Sequence, residues 1–185
     1  MKAKKVKLIL FIQGGGESGY VADEPLVLSL KATLGKEYQI SYPELISDES
    51  EPDLGWIKQI GEEISKANDD FILVGHSLGA SMILKYLSEN SVSNKIKGLF
   101  LIATPFWSGN EKWKAGLKLK NNFTDKLPAE VPIFFYHCKD DEEIPFSHLD
   151  RYKQKVAQAN FREIKNGGHQ LNNDLTLIAE DIRSL

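Results

Sequence analysis

The 185-residue chain has a single cysteine, Cys138. One thiol closes no intramolecular disulfide, so the fold must stand on packing and is compatible with a reducing compartment. Long apolar runs are missing too. No stretch approaches the roughly 20 residues of a membrane span. Residues 8–12, behind Lys2, Lys4, Lys5 and Lys7, end in Gln13 and a glycine cluster, short of the roughly 7–15 apolar residues of a secretory core. Nor is there a basic excess: 23 Lys+Arg face 26 Asp+Glu, a net charge of -3, so neither nucleic acid nor an anionic membrane is electrostatically attracted. Repeats of fixed period and low-complexity tracts are absent. The expectation is a soluble, cytoplasmic protein whose early lysines form a solvated flank to the first strand.

With 42% hydrophobic and 26% charged residues the chain reads as one folded domain spanning 1–185. Residues 6–12 form a mostly apolar run bounded by Gly14-Gly15-Gly16, the pattern of a strand buried on both faces. Asp23-Glu24-Pro25 then supplies an N-cap, an early acid and a first-turn proline for a helix that Gly35 stops. Strand patterns follow at 38–42, 71–74, 96–103, 131–136 and 161–164, and helical ones from Asp53 to Ile64 and over 77–87, 145–159 and 171–182. Such alternation demands parallel pairing by right-handed crossovers. The expected architecture is α/β: a three-layer sandwich whose mostly parallel sheet of about six strands carries helices on both faces. Residues 104–130 exceed an ordinary connection and are a candidate short lid insertion. Within them, Phe106, Trp107 and Trp113 either roof a site or pack as a surface helix on the body.

Gly75-His76-Ser77-Leu78-Gly79 fits G-x-S-x-G, with a buried strand feeding it and a helix opening at Ser77. A serine on that turn is held strained above the sheet edge, and the helix N-terminus favours developing negative charge. The bland alternative is a glycine-flanked helix start with a capping serine. A serine hydroxyl needs a base, and the base needs a group to fix its tautomer. Asp140 and Asp141 follow the 131–136 strand, and His169 follows the last strand behind Gly167-Gly168, each at the carboxyl edge where open α/β sheets place ligands. Of the other histidines, His76 is the variable position of the turn, His137 ends a strand, and His148 lies inside a helix. The run Asp140-Asp141-Glu142-Glu143 is contiguous rather than spaced to wrap a cation, and Cys138 has no Cys/His framework for zinc, so no metal is expected.

Taken together, the strand, turn and helix around Gly75-His76-Ser77-Leu78-Gly79, followed by Asp141 and His169, resemble the α/β-hydrolase superfamily, whose chain order is Ser, Asp, His. The small size, the lack of a cap domain and the string from His137 to Pro145 are similar to the compact retinoblastoma-binding-protein-like serine hydrolases. That resemblance implies an acid four residues before Pro145, which selects Asp141 over Asp140. Gln13-Gly14 stands where many members have His-Gly. It also implies an oxyanion hole from the backbone N–H groups of Gly15 and Leu78.

The expected activity is therefore a serine hydrolase cleaving an ester or related acyl bond of a small molecule through Ser77, His169 and Asp141 and an acyl-enzyme intermediate, with no cofactor. Two other readings stand beside it: a catalytically silent binding protein on this fold, and a dinucleotide-binding oxidoreductase announced by Gly14-x-Gly16-x-x-Gly19, which leaves the Ser, Asp and His unexplained. The second conflicts with helix-start signals that come only at Asp23.

Overall fold

A computed structural model describes residues 6–91 and 95–185, so Lys2, Lys4 and Lys5 lie outside the described residues. Six strands form one sheet: β1 (Lys7–Ile12), β2 (Tyr38–Ser41), β3 (Phe71–His76), β4 (Ile96–Ile102), β5 (Ile133–Cys138) and β6 (Asn160–Ile164). Their order is β2-β1-β3-β4-β5-β6 and every pairing is parallel. The helices are α1 (Gly19–Leu34), α2 (Trp56–Lys66), α3 (Leu78–Glu89), α4 (Ser147–Lys155) and α5 (Thr176–Arg183).

Strand direction across the sheet decides the layers. The chain steps from β1 to β2 one way and from β2 through β6 the other way. Crossovers of a single hand then put α1 on one face and α2, α3 and α4 on the other. Side chains alternate accordingly. Ile9 and Phe11 join Leu26, Leu30, Ile178 and Ile182 beneath α1 and α5. Leu10 and Ile12 join Trp56, Ile60, Met82, Ile83, Leu149 and Tyr152 beneath the other three.

Three expected elements shift. Helix α1 begins at Gly19, a turn before Asp23, so Asp23 is no N-cap and Pro25 lies inside the helix. The hydrogen bond that Pro25 cannot donate would have gone to the carbonyl of Val21, an exposed residue. Helix α4 is shorter at both ends than 145–159. The last helix does not open at Leu171. Leu171, Asn172 and Asn173 have φ of 49°, 51° and 55°, a left-handed turn, and α5 starts after it. Cys138 is buried.

The far edge of the sheet is closed by a polar knot. Asp181 of α5 accepts the Tyr136 hydroxyl at 2.7 Å and a two-pronged Arg162 guanidinium at 3.0 and 2.7 Å, joining β5, β6 and α5. Burial works to raise the Asp181 carboxyl, but the Arg162 fork and then the Tyr136 hydroxyl outweigh it and hold it below its ordinary range. A depressed folded-state pKa adds stability above the unfolded value, and that stability is lost as pH falls through the folded value. Asp181→Asn should therefore cost about 1–3 kcal/mol in urea unfolding at pH 7. Its gap to wild type should narrow below about pH 4. Equal stability at pH 7 would show that the knot contributes nothing.

Candidate active site

The sheet order reverses between β1 and β3, so the loops leaving these strands part to opposite faces and open a crevice at the carboxyl edge. Ser77 occupies it. Its backbone stands at φ 49° and ψ -121°, a region that costs a side-chain-bearing residue of order 1–3 kcal/mol. Its N–H donates to the Ile102 carbonyl at 2.8 Å, and its own carbonyl accepts from Ser81. The flanking glycines are sterically required. A Cβ on Gly75 would lie 2.8 Å from Ala80 Cα, and one on Gly79 would lie 2.2 Å from the Gln13 carbonyl oxygen.

The loop after β1 lies directly on this turn. A Cβ on Gly15 would meet Leu78 Cδ2 at 2.8 Å, so the two residues expected to offer oxyanion N–H groups are neighbours in space. Gly14 has spent its own N–H on Asp23 Oδ2, at 2.6 Å. Gln13 is buried, and its side-chain oxygen accepts the Leu45 N–H.

Asp141 and His169 are brought together from the ends of β5 and β6. His169 Nδ1 lies 3.1 and 3.0 Å from the two Asp141 oxygens, and Asp141 Oδ1 also accepts the Glu143 and Ile144 N–H groups. Asp140 serves the same loop differently: its carboxylate accepts the N–H groups of Gly167 and Gly168, the backbone leading into His169. Burial pushes the Asp141 carboxyl up, but hydrogen bonds from His137 and His169 outweigh it and place it well below the usual range. For His169, burial favours the neutral ring, yet the hydrogen bond and charge of Asp141, then Glu143 and Asp23, raise its pKa. Glu143 is mostly exposed, with an oxygen 3.6 Å from His169 Nε2.

Between β4 and β5 the expected lid contains two short 3-10 turns, Lys112–Leu117 and Phe123–Lys126, rather than a surface helix. Leu117, Phe123 and Leu127 enter the core. The Trp107 indole N–H donates to Ser81 Oγ at 3.0 Å, one turn of α3 beyond Ser77. Phe106 sets its ring edge-on to Tyr152 and donates its N–H to His148 Nδ1. Trp113 is 63% exposed and meets Trp107 edge to face.

Sequence reasoning missed Asp23 as a site neighbour, because it was assigned to a helix cap. Running the stripe Leu26, Leu30, Leu34 backwards at helical spacing lands on Asp23, which is the signal that places it on the buried face. The same earlier helix start removes one argument against a dinucleotide loop, since Gly19 does open α1. What separates the site from such a loop is that the Gly14 N–H is consumed internally and Gly15 is backed by Leu78.

A parallel sheet of this order, with a strained serine turn after its third strand, is the α/β-hydrolase fold. Residues 29–176 match the model of a family described as Serine hydrolase, and the chain belongs to that family. YdeN of Bacillus subtilis (strain 168) is 25% identical over 126 residues, 64% of this chain, and the match spans 63% of that relative's length. The solved structure of the B. subtilis ydeN gene product superposes with a TM-score of 0.65 at 19% identity, covering 97% of this chain and 98% of that one. Est1E from Butyrivibrio proteoclasticus superposes with a TM-score of 0.69 at 16% identity, covering 98% and 87%. At these identities the superpositions speak for the fold. Among the described residues no helix is long and apolar enough to cross a membrane.

The charges facing His169 yield a direct check. Removing a negative neighbour weakens the imidazolium, so NMR titration should find the His169 pKa lower in both Asp141→Asn and Glu143→Gln. The larger fall should belong to Asp141→Asn, and the Glu143 effect should fade as salt rises. An unchanged titration in Asp141→Asn would contradict the contact.

Proposed function

We propose that the protein hydrolyses an ester or related acyl bond of a small molecule, as a compact, capless hydrolase of the retinoblastoma-binding-protein-like kind. Ser77 Oγ adds to the carbonyl carbon while His169 Nε2 takes its proton, and the imidazolium returns that proton to the departing alcohol. Water then repeats the cycle on the acyl-enzyme, releasing the acid and Ser77. Asp141 keeps Nδ1 protonated and stabilises the charged ring. The N–H groups of Gly15 and Leu78 receive the oxyanion. The observation that carries this reading is the Asp141–His169 pair at 3.0 Å, on a loop whose His169 carbonyl is bound by the residue preceding Ser77. No cofactor enters the scheme.

A fluorophosphonate probe and a short activated ester test it. Wild type should be labelled and turn over, and Ser77→Ala should lose both while keeping its circular dichroism. Retained turnover would remove Ser77 from its role. Asp141→Asn should lower kcat by up to about 10⁴-fold, since an amide can hold the wrong tautomer. Asp140→Asn, which acts only through the Gly167–Gly168 backbone, should cost far less. A reversal of that order would transfer the acid's role to Asp140.

Phe106 and Trp107 are proposed to wall the acyl or alcohol pocket, with Trp113 as its outer rim. Trp107→Ala should raise KM and change chain-length preference across a series of esters. Trp113→Ala should do less, because its ring already faces water. Identical chain-length profiles in all three proteins would leave the segment a purely structural cover.

A further inference from the structure

Helix α1 turns an acid toward the sheet. Asp23 and His76 are each 1% exposed, and His76 Nδ1 lies 2.9 Å from Asp23 Oδ2. The other ring nitrogen, Nε2, lies 3.0 Å from the carbonyl oxygen of His169. A carbonyl only accepts, so Nε2 carries a proton. A second proton must lie between Nδ1 and Oδ2, because otherwise two lone pairs would face each other at hydrogen-bond distance. Asp23 and His76 are thus joined by a shared proton into one buried hydrogen-bonded unit.

The unit reaches three loops. Asp23 Oδ2 also accepts the Gly14 N–H, directly ahead of Gly15, and Oδ1 accepts the Gln170 side-chain N–H at 3.2 Å, directly after His169. His76 itself precedes Ser77, and its ring lies 4.7 Å from that of His169, centre to centre. The segments after β1, β3 and β6 therefore meet at one buried carboxylate and one buried imidazole. In the scheme above neither side chain takes part in bond making or proton transfer.

We propose that Asp23 and His76 act as a positioning pair for the hydrolytic reaction, their shared proton holding the oxyanion loop and the His169 loop in register with Ser77. The proposal rests on the catalytic reading of Ser77, His169 and Asp141. Displacements of about 1 Å in such groups cost on the order of 10²-fold in rate. The pair works through the backbones of Gly14 and His169, so its loss should appear in kcat rather than in KM.

Asp23→Asn, His76→Gln and the double variant test this, with melting temperature and circular dichroism confirming the folded state. The carboxylate accepts from Gly14, His76 and Gln170 at once, and an amide with one oxygen must drop at least one of them. Each single change should lower kcat for a short ester about 10–100-fold and leave KM within about threefold. The double variant should fall no further than the worse single, because both act through one proton. Histidine ¹H–¹⁵N NMR of wild type should show slowly exchanging protons at both His76 nitrogens, and the one at Nδ1 should vanish in Asp23→Asn.

Should Asp23→Asn fail to fold, Gln170→Leu removes only the Oδ1 arm from a half-buried side chain and should still lower kcat several-fold at constant KM. Folded variants with wild-type kcat, a loss confined to KM, or additive losses would overturn the proposal. A wild type that neither labels nor turns over would overturn the catalytic reading and the proposal with it. A labelled, active wild type with indifferent Asp23 and His76 variants would overturn the proposal alone.

Discussion

Ser77 holds a backbone conformation that a residue with a side chain keeps only when its surroundings overrule the strain, here of order 1–3 kcal/mol. Those surroundings are the bond from its N–H to Ile102, which continues the sheet one residue past β3, and two glycines that let α3 fold back over the strand end. Gly75 admits Ala80, and Gly79 admits the carbonyl of Gln13. The sheet pairing of β1 with β3 is thus already part of the turn, because the chain leaving β1 fills the space where a Cβ at position 79 would stand.

From that constraint the rest of the site follows in sequence. With β1 beside β3, the glycine loop has nowhere to go except across Leu78. With β4 and β5 next in order, the ends of β5 and β6 present Asp141 and His169 on the same edge. The two aspartates divide their work by direction: Asp141 turns in to the imidazole, while Asp140 turns out to the backbone N–H groups of the glycine pair. Gly168 and the left-handed residues Leu171 to Asn173 then reverse the chain sharply enough to leave His169 buried and facing inward.

Electrostatically the edge is lopsided. Asp141, Glu143 and Asp23 all favour a charged His169, whereas burial opposes it. An imidazole held this way favours its protonated form. Burial and the charge of Arg151 do the opposite to His148, which accepts the Phe106 N–H on Nδ1 and keeps a lowered pKa. The surroundings of these two histidines thus push their pKa values in opposite directions.

How much of this the chain announces depends on the range of the cause. The six strands, the parallel class and the serine turn were legible in order and spacing, because apolar runs and glycine flanks are local signals, whereas the preference for Asp141, the aspartate that contacts His169, came from the family resemblance. Element ends were less so: Asp23-Glu24-Pro25 imitates a helix start, and only the packing of α1 on the sheet reveals that the helix begins at Gly19. The pairing of Asp23 with His76 spans 53 positions, and that of Gln170 with Asp23 spans 147. Hydrogen bonds across such separations leave no periodic trace. They exist because the reversal of strand order brings α1 and the final loop together over the same turn.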